Sequence, residues 1–284
     1  MTTYQYIEVE NTKVFYREAG ELGKPTILLL HGFPSASHMF RNLIPILEKE
    51  YHIIAPDYPG FGNTISPDRN EFSYTFDNIT RILELFIEKL KINKYVLYVF
   101  DYGAPIGFRL AKNHPERVNA IISQNGNIYR EGLGEKWAAR EEYWANPTPV
   151  KRESYRKAFA AETIRHQYID GTEEGKVSPD GYMLDIAYVS RVGNDEIQLD
   201  LIFDYQNNIR LYPDFQQYLR EHQPSLLAVW GKNDVSFIPE GAKAFKRDLP
   251  EAEIHLLNSG HFALETHVEE IGELILCFLK QLNL

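Results

Sequence analysis

The sequence predicts an α/β protein: one mostly parallel sheet with helices on both faces and a helical cap inserted in its second half. Three observations predict it. Short, nearly continuous apolar runs at 25–30, 51–55, 95–100, 118–123 and 225–230 read as strands covered on both faces. Amphipathic stretches alternate with them, the rhythm of parallel strands joined by helices. That rhythm stops between about 126 and 220 and then resumes, so one wound pattern brackets an intrusion.

The elements follow in order. Ile7, Val9, Val14 and Tyr16 alternate with polar residues, which predicts two half-exposed antiparallel strands. Pro25 to Leu30 is a buried strand. Residues 37–49 are expected as a helix with Phe40, Leu43, Ile44 and Leu47 on one face. Tyr51 to Ala55 is the next buried strand. The clearest amphipathic helix is 74–91, where Ile79, Ile82, Leu83, Phe86 and Leu90 recur at helical spacing. Strand Tyr95–Phe100, helix Ala104–Lys112 and strand Val118–Ser123 complete the first half. The stretch 126–220 is polar and aromatic, with Trp137, Trp144 and nine of the 18 tyrosines. Short helices broken at Pro and Gly are expected there. Strand Ser225–Trp230, helix 239–247, strand Glu253–Leu257 and helix 263–281 close the chain. The division expected is a core of 1–125 and 221–284 and a cap of 126–220.

With 284 residues, 44% of them hydrophobic, the chain can bury a large core. This excludes disorder and removes any need for a stabilising metal. The net charge is −10, the wrong sign for a nucleic-acid partner. The densest basic stretch, Lys151, Arg152, Arg156 and Lys157, is interrupted by Glu153 and reads as a solvated helix face. No apolar run approaches the ~20 residues of a spanning helix, so no membrane partner is expected. Cys277 is the single cysteine and cannot form an intramolecular disulfide. The N-terminus lacks the basic and apolar regions of a secretory leader, and a cytoplasmic location is expected.

In open parallel sheets, ligands bind beyond the carboxyl ends of the strands. The segments there are His31-Gly32-Phe33-Pro34, Asp57 to Gly62, Asp101-Tyr102-Gly103, Asn125, Asp234 and His261. Asp101 ends a buried strand and opens a helix, a turn that presents its side chain toward ligand. The helix N-terminus also stabilises a carboxylate there. The competing reading is a simple N-cap. His261 follows the last buried strand, and Asp234 is positioned to fix its tautomer and stabilise its charged form. His255, His261 and His267 are spaced by six, which does not align metal ligands on a helix. Neither metal nor cofactor is expected.

In these motifs the sequence resembles the α/β-hydrolase superfamily over almost its whole length. More narrowly, it looks like the branch with an aspartate nucleophile, the epoxide hydrolases and haloalkane dehalogenases. Their elbow usually reads Gly-His-Asp-Trp-Gly; here Val99 replaces the first Gly and Tyr102 the Trp. The resemblance implies Asp101 as nucleophile, Asp234 as orienting acid and His261 as the base that activates water. It assigns the oxyanion hole to the backbone N–H groups of Phe33 and Tyr102. Aspartate in place of serine implies attack on saturated carbon, because a carboxylate attacking an ester would give a reactive anhydride whereas attack on carbon gives a stable alkyl ester. The expected partners are a small, largely apolar organic substrate and water.

The leaving group separates the two branches. A halide leaves without a proton and is held by N–H donors. Two of the donors such dehalogenases use are missing, with Tyr102 and Phe33 in their places, which leaves Trp137 and Trp144. The arginine that haloacid dehalogenases carry directly after the nucleophile is also absent. An epoxide oxygen needs a proton, which epoxide hydrolases supply from tyrosines. Tyr205, in Tyr205-Gln206-Asn207-Asn208, stands 29 residues before Asp234, where such enzymes carry Tyr-Arg-x-Asn. Its competing reading is a packed aromatic. Tyr129, Tyr143 and Tyr155 are the alternative candidates for a second donor. Epoxide opening is therefore the leading expectation, with haloalkane dehalogenation the alternative. The reading from another class is a non-catalytic small-molecule binding protein on the same fold.

Overall fold

The structure is a computed structural model that describes residues 1–284. Eight strands form one sheet: β1 (Thr3–Val9), β2 (Thr12–Ala19), β3 (Thr26–Leu30), β4 (His52–Pro56), β5 (Tyr95–Phe100), β6 (Val118–Gln124), β7 (Leu226–Gly231) and β8 (Glu253–Leu257). Their order is β1-β2-β4-β3-β5-β6-β7-β8. β1 and β2 pair antiparallel, as do β2 and β4; every later pairing is parallel. The chain reverses its direction of travel across the sheet at β3, which lies between β4 and β5. A crevice opens at such a switch point beyond the strand ends, between the residues after β3 and those after β5.

The strands carry apolar side chains on both faces, so two cores form. Leu28, Leu30, Leu97 and Val99 face one, and Ile27, Leu29, Val96, Tyr98 and Phe100 face the other. This is the period of two expected of a strand with no solvent face.

The helices are α1 (Ile44–Leu47), α2 (Phe76–Lys89), α3 (Gly103–Asn113), α4 (Trp137–Ala145), α5 (Pro149–Ser154), α6 (Ala161–Ile169), α7 (Pro179–Val189), α8 (Asn194–His222), α9 (Pro239–Asp248) and α10 (Val268–Gln281). α2 begins where Thr75 Oγ1 accepts from the Asn78 N–H at 3.2 Å. Thr, with its short side-chain acceptor, is a favoured N-cap.

Three expectations need correction. The helix expected at 37–49 is a 3₁₀ turn, Ser37–Phe40, followed by the four-residue α1. Pro45 explains the break, because it has no N–H to donate and its ring crowds the carbonyl four residues earlier. The helix expected at 263–281 is likewise a short 3₁₀ turn, Ala263–Glu265, and then α10. The third correction is larger. The end of the insertion is one 29-residue helix, α8, that continues through Pro213. A proline inside a helix costs about 3 kcal/mol. Fully buried Tyr212, Phe215 and Leu219 offset that cost, each aromatic or aliphatic burial being worth roughly 1.5–3 kcal/mol. Phe215 packs on Phe108 of α3 with ring centroids 5.9 Å apart. The boundary expected at 220 therefore falls inside a continuous helix.

Candidate active site

Asp101 sits between β5 and α3 with a φ of 47°, the left-handed region that a residue with a side chain occupies only where surroundings enforce it. Two glycines make room for the turn. A Cβ on Gly103 would lie 2.3 Å from the Leu30 carbonyl oxygen, and one on Gly32 would lie 2.3 Å from Asp101 Cβ. The turn aims the Asp101 carboxylate into the switch-point crevice. There the Phe33 N–H donates to Asp101 Oδ1 at 2.7 Å, while the Tyr102 N–H stands at the head of α3.

His31 holds this loop rather than joining the chemistry. Its ring stacks on Tyr58 at 3.9 Å, and its Nε2 accepts from the Tyr58 N–H at 3.3 Å. Nδ1, 3.1 Å from the Gly32 carbonyl, is then the protonated nitrogen. Burial lowers its pKa to about 3, which keeps the imidazole neutral.

His261 stands between two carboxylates. Its Nδ1 lies 2.6 Å from Asp234 Oδ2 and its Nε2 lies 3.6 Å from Asp101 Oδ2. Burial disfavours the charged imidazole. The Asp234 carboxylate, supported by Asp101, outweighs burial and pushes the pKa up to about 10. The folded state therefore binds a proton that the unfolded chain, near 6.5, releases first. The resulting stabilisation is complete below pH ~6.5 and is lost as pH rises toward about 10. Thermal melts should show this: the Tm advantage of the native protein over His261→Gln is expected to shrink between pH 6 and pH 10.

Asp234 is held on every side. Its Oδ1 accepts from the backbone N–H groups of Ser236 (2.7 Å) and Phe237 (3.2 Å). Its Oδ2 accepts from the Asn125 side-chain amide at 2.8 Å as well as facing His261. Asn125 in turn accepts from the Gly231 N–H through its own Oδ1 at 3.0 Å, and its backbone is left-handed, with a φ of 46°. It is the residue that sequence reasoning left without a task. Its place directly after β6 was the available signal.

Asp101, Tyr102, Phe33, Asp234 and His261 all line one cavity of about 210 Å³. That is below the roughly 300–1,000 Å³ of a drug-sized site, so its occupant is small. Six of its sixteen lining residues are hydrophobic, fewer than a largely apolar substrate called for. Tyr205 is not in the wall. It is fully buried one layer behind, its ring against Trp137 (4.8 Å), Tyr102 (5.5 Å) and Phe76 (5.5 Å). Its hydroxyl, beside that of Tyr212, makes no hydrogen bond of good geometry. The expected second donors are not in the wall either. Tyr129 donates to Asp248 Oδ2 at 2.8 Å, and Tyr143 packs against Tyr155 and Phe203 within the insertion. Both tryptophan N–H groups of the insertion are committed to backbone, Trp137 to the Ser236 carbonyl (2.9 Å) and Trp144 to that of Ile202 (3.0 Å).

A carboxylate on a strained elbow, a backbone N–H beside it, and an imidazole between it and a second carboxylate can support covalent hydrolysis. A family model for the alpha/beta hydrolase fold matches residues 25–268. The chain belongs to the α/β-hydrolase family. An uncharacterized hydrolase of Saccharomyces cerevisiae is 47% identical over 98% of this chain and 97% of its own length. Among solved structures, a haloalkane dehalogenase of Bradyrhizobium elkani superposes with a TM-score of 0.82 at 23% identity, covering 100% of this chain and 99% of its own. An epoxide hydrolase of Vigna radiata superposes with a TM-score of 0.77 at 22% identity, covering 99% and 98%. At those identities the two structures establish the α/β-hydrolase fold alone. No helix of this hydrolase is long and apolar enough to cross a membrane.

Proposed function

We propose that this hydrolase opens an epoxide to a diol through an alkyl ester on Asp101. The observation that carries the reading is the pattern of free and committed donors beside Asp101. Both tryptophan N–H groups that would hold a halide are bonded to backbone carbonyls. By contrast, the buried Tyr205 hydroxyl makes no hydrogen bond of good geometry. Leaving such a group unsatisfied costs about 1–3 kcal/mol, a cost a ligand oxygen would relieve.

In the proposed reaction, Asp101 Oδ2 attacks an epoxide carbon and the ring C–O bond breaks. The departing oxygen takes a proton from the Tyr205 hydroxyl. A rotamer change of Tyr102 or Trp137, which separate that hydroxyl from the cavity, is an ordinary response to ligand. Esterification removes the charge of Asp101, one of the two carboxylates that hold His261 protonated. With that charge gone the imidazolium gives its Nε2 proton through solvent to the tyrosinate, and the neutral imidazole then takes a proton from water as hydroxide attacks the ester carbonyl. The oxyanion formed is the former Oδ1, already on the Phe33 N–H, with the Tyr102 N–H as second donor. Collapse releases the diol and regenerates the Asp101 carboxylate beside a protonated His261, as at the start.

The test is Tyr205→Phe with a panel scoring diol formation against halide release. Epoxide opening is expected to slow by about 10² to 10⁴, the usual contribution of a general acid, while halide release from a haloalkane is unaffected. Unchanged diol formation would make Tyr205 a packing residue. An effect of Tyr102→Phe instead would move the proton donor into the cavity wall. Absence of turnover on both substrate classes would leave the non-catalytic binding reading.

A further inference from the structure

The cavity holds a cation that nothing in the protein neutralises. Arg140, on α4, lines it together with Lys136. Its guanidinium stacks on the Trp137 ring at 4.4 Å and makes no hydrogen bond or ion pair within the chain. Every other arginine is engaged. Most hold carboxylates, as Arg41 holds Glu265 and Arg152 holds Glu196. The three that do not are bonded elsewhere: Arg17 to the Ser37 hydroxyl, Arg191 to the Gly62 carbonyl and Arg210 to Asn207 and Gln206. In a chain of net charge −10 carboxylates are abundant, so a half-buried guanidinium without one is a specific feature.

Its geometry suits a planar anion. The Trp137 ring, 4.4 Å from the guanidinium carbon, anchors the group by a cation–π contact that uses none of its N–H donors. The N–H donors lie at the edges and stay free, in the fork that matches a carboxylate through two parallel hydrogen bonds. Trp137 also fixes where this fork stands, because its ring packs on Phe237 (5.3 Å), which in turn packs on His261 (6.0 Å). The charge of Arg140 is felt at Tyr102, the residue after Asp101. Phe33, Ala158, Ile202 and Val235 supply apolar wall to the same cavity.

We infer that the natural substrate of this cavity is a small molecule with a carboxylate at the end remote from its reactive carbon, bound by the Arg140 fork with Lys136 adding charge. The inference rests on the cavity being the substrate site of the proposed reaction. It replaces a largely apolar substrate with an amphipathic one.

The experiment separates the two claims by measuring binding apart from turnover. Titration calorimetry with pentanoate and its uncharged counterpart pentanamide needs no reaction. Pentanoate is expected to bind the native protein about 10- to 100-fold more tightly, the range of a charge-assisted bidentate contact. Arg140→Gln is expected to abolish that preference, Arg140→Lys to restore part of it, and raised salt to weaken it. The matched pair 4,5-epoxypentanoate and 4,5-epoxypentanamide then tests substrate use, with KM for the acid rising 10- to 100-fold in Arg140→Gln and the preference for acid over amide in kcat/KM lost. Equal binding of pentanoate and pentanamide, or a preference that survives Arg140→Gln, would overturn the inference. So would sulfate or inorganic phosphate displacing pentanoate at the same concentration, since that describes a general oxyanion site. Diol formation from the amide alone would leave epoxide hydrolysis standing and refute the carboxylate. Pentanoate binding without any epoxide turnover would do the reverse.

Discussion

Asp101→Ala is expected to abolish turnover, with a loss on the order of 10⁶, the scale on which removal of a covalent nucleophile acts. Asp101 has no stand-in among the residues that line the cavity: the other carboxylates there are Asp234, saturated by four donors, and Asp170, tied to exposed His166. The covalent route also has an isotopic signature. In a single turnover in heavy-oxygen water, with enzyme in excess, the oxygen transferred to the first product is expected to come from the carboxylate and to be light. Heavy oxygen reaches product only after Asp101 has itself been labelled. First-turnover product that is fully heavy would mean direct attack by water and would end the covalent reading. The companion measurement is mass spectrometry of His261→Gln mixed with substrate, where an adduct on Asp101 is expected to accumulate.

Asp234→Asn is expected to lower turnover by about 10⁴, the loss caused by the corresponding change in the serine-protease template. The geometry gives the reason. The carboxylate accepts on both oxygens, from two backbone N–H groups on one side and from Asn125 and His261 on the other. An amide must turn its NH₂ toward one of those sides. Facing His261, it opposes an imidazole N–H and the Asn125 amide and selects the wrong tautomer. Facing Ser236 and Phe237, it opposes two backbone donors. Either way, buried donors are left unpaired, and the imidazole loses the charge that sustains its protonated form. Asn125 offers a stringent check, because its amide shares Asp234 Oδ2 with His261 through a 2.8 Å hydrogen bond. The double variant Asn125→Asp, Asp234→Asn keeps one carboxylate in the pair that faces the imidazole, and Asp tolerates the left-handed backbone at 125. It is expected to recover part of the activity lost in the single variant. Near-normal kcat in Asp234→Asn alone would move the orienting acid elsewhere.

The sequence by itself determined the strands, their alternation with helices and the side chains at their carboxyl ends. A strand buried on both faces announces itself as a local apolar run, and a ligand-facing side chain at its end is adjacent in sequence. Asp101, Asp234 and His261 could therefore be named without knowing how the strands are ordered, and the fold brings them to one cavity. What needed tertiary structure was every property set by a partner distant in the chain. α8 looked broken at Pro213 because helix propensity is local, whereas burial of its apolar side chains against α3 is not. Tyr205 was legible as a tyrosine at a suggestive spacing. Its place one ring behind the cavity wall depends on Trp137 and Tyr102, 68 and 103 residues earlier in the sequence. Asn125 acquired its role only through Asp234 and Gly231. Trp137 and Trp144 lost theirs as halide donors only when their N–H groups found carbonyls at Ser236 and Ile202. Arg140 is the extreme case: no sequence pattern distinguishes an arginine whose partner is missing. That absence is a property of the packed surroundings, where its guanidinium lies over Trp137 and its N–H groups are left to whatever enters the cavity.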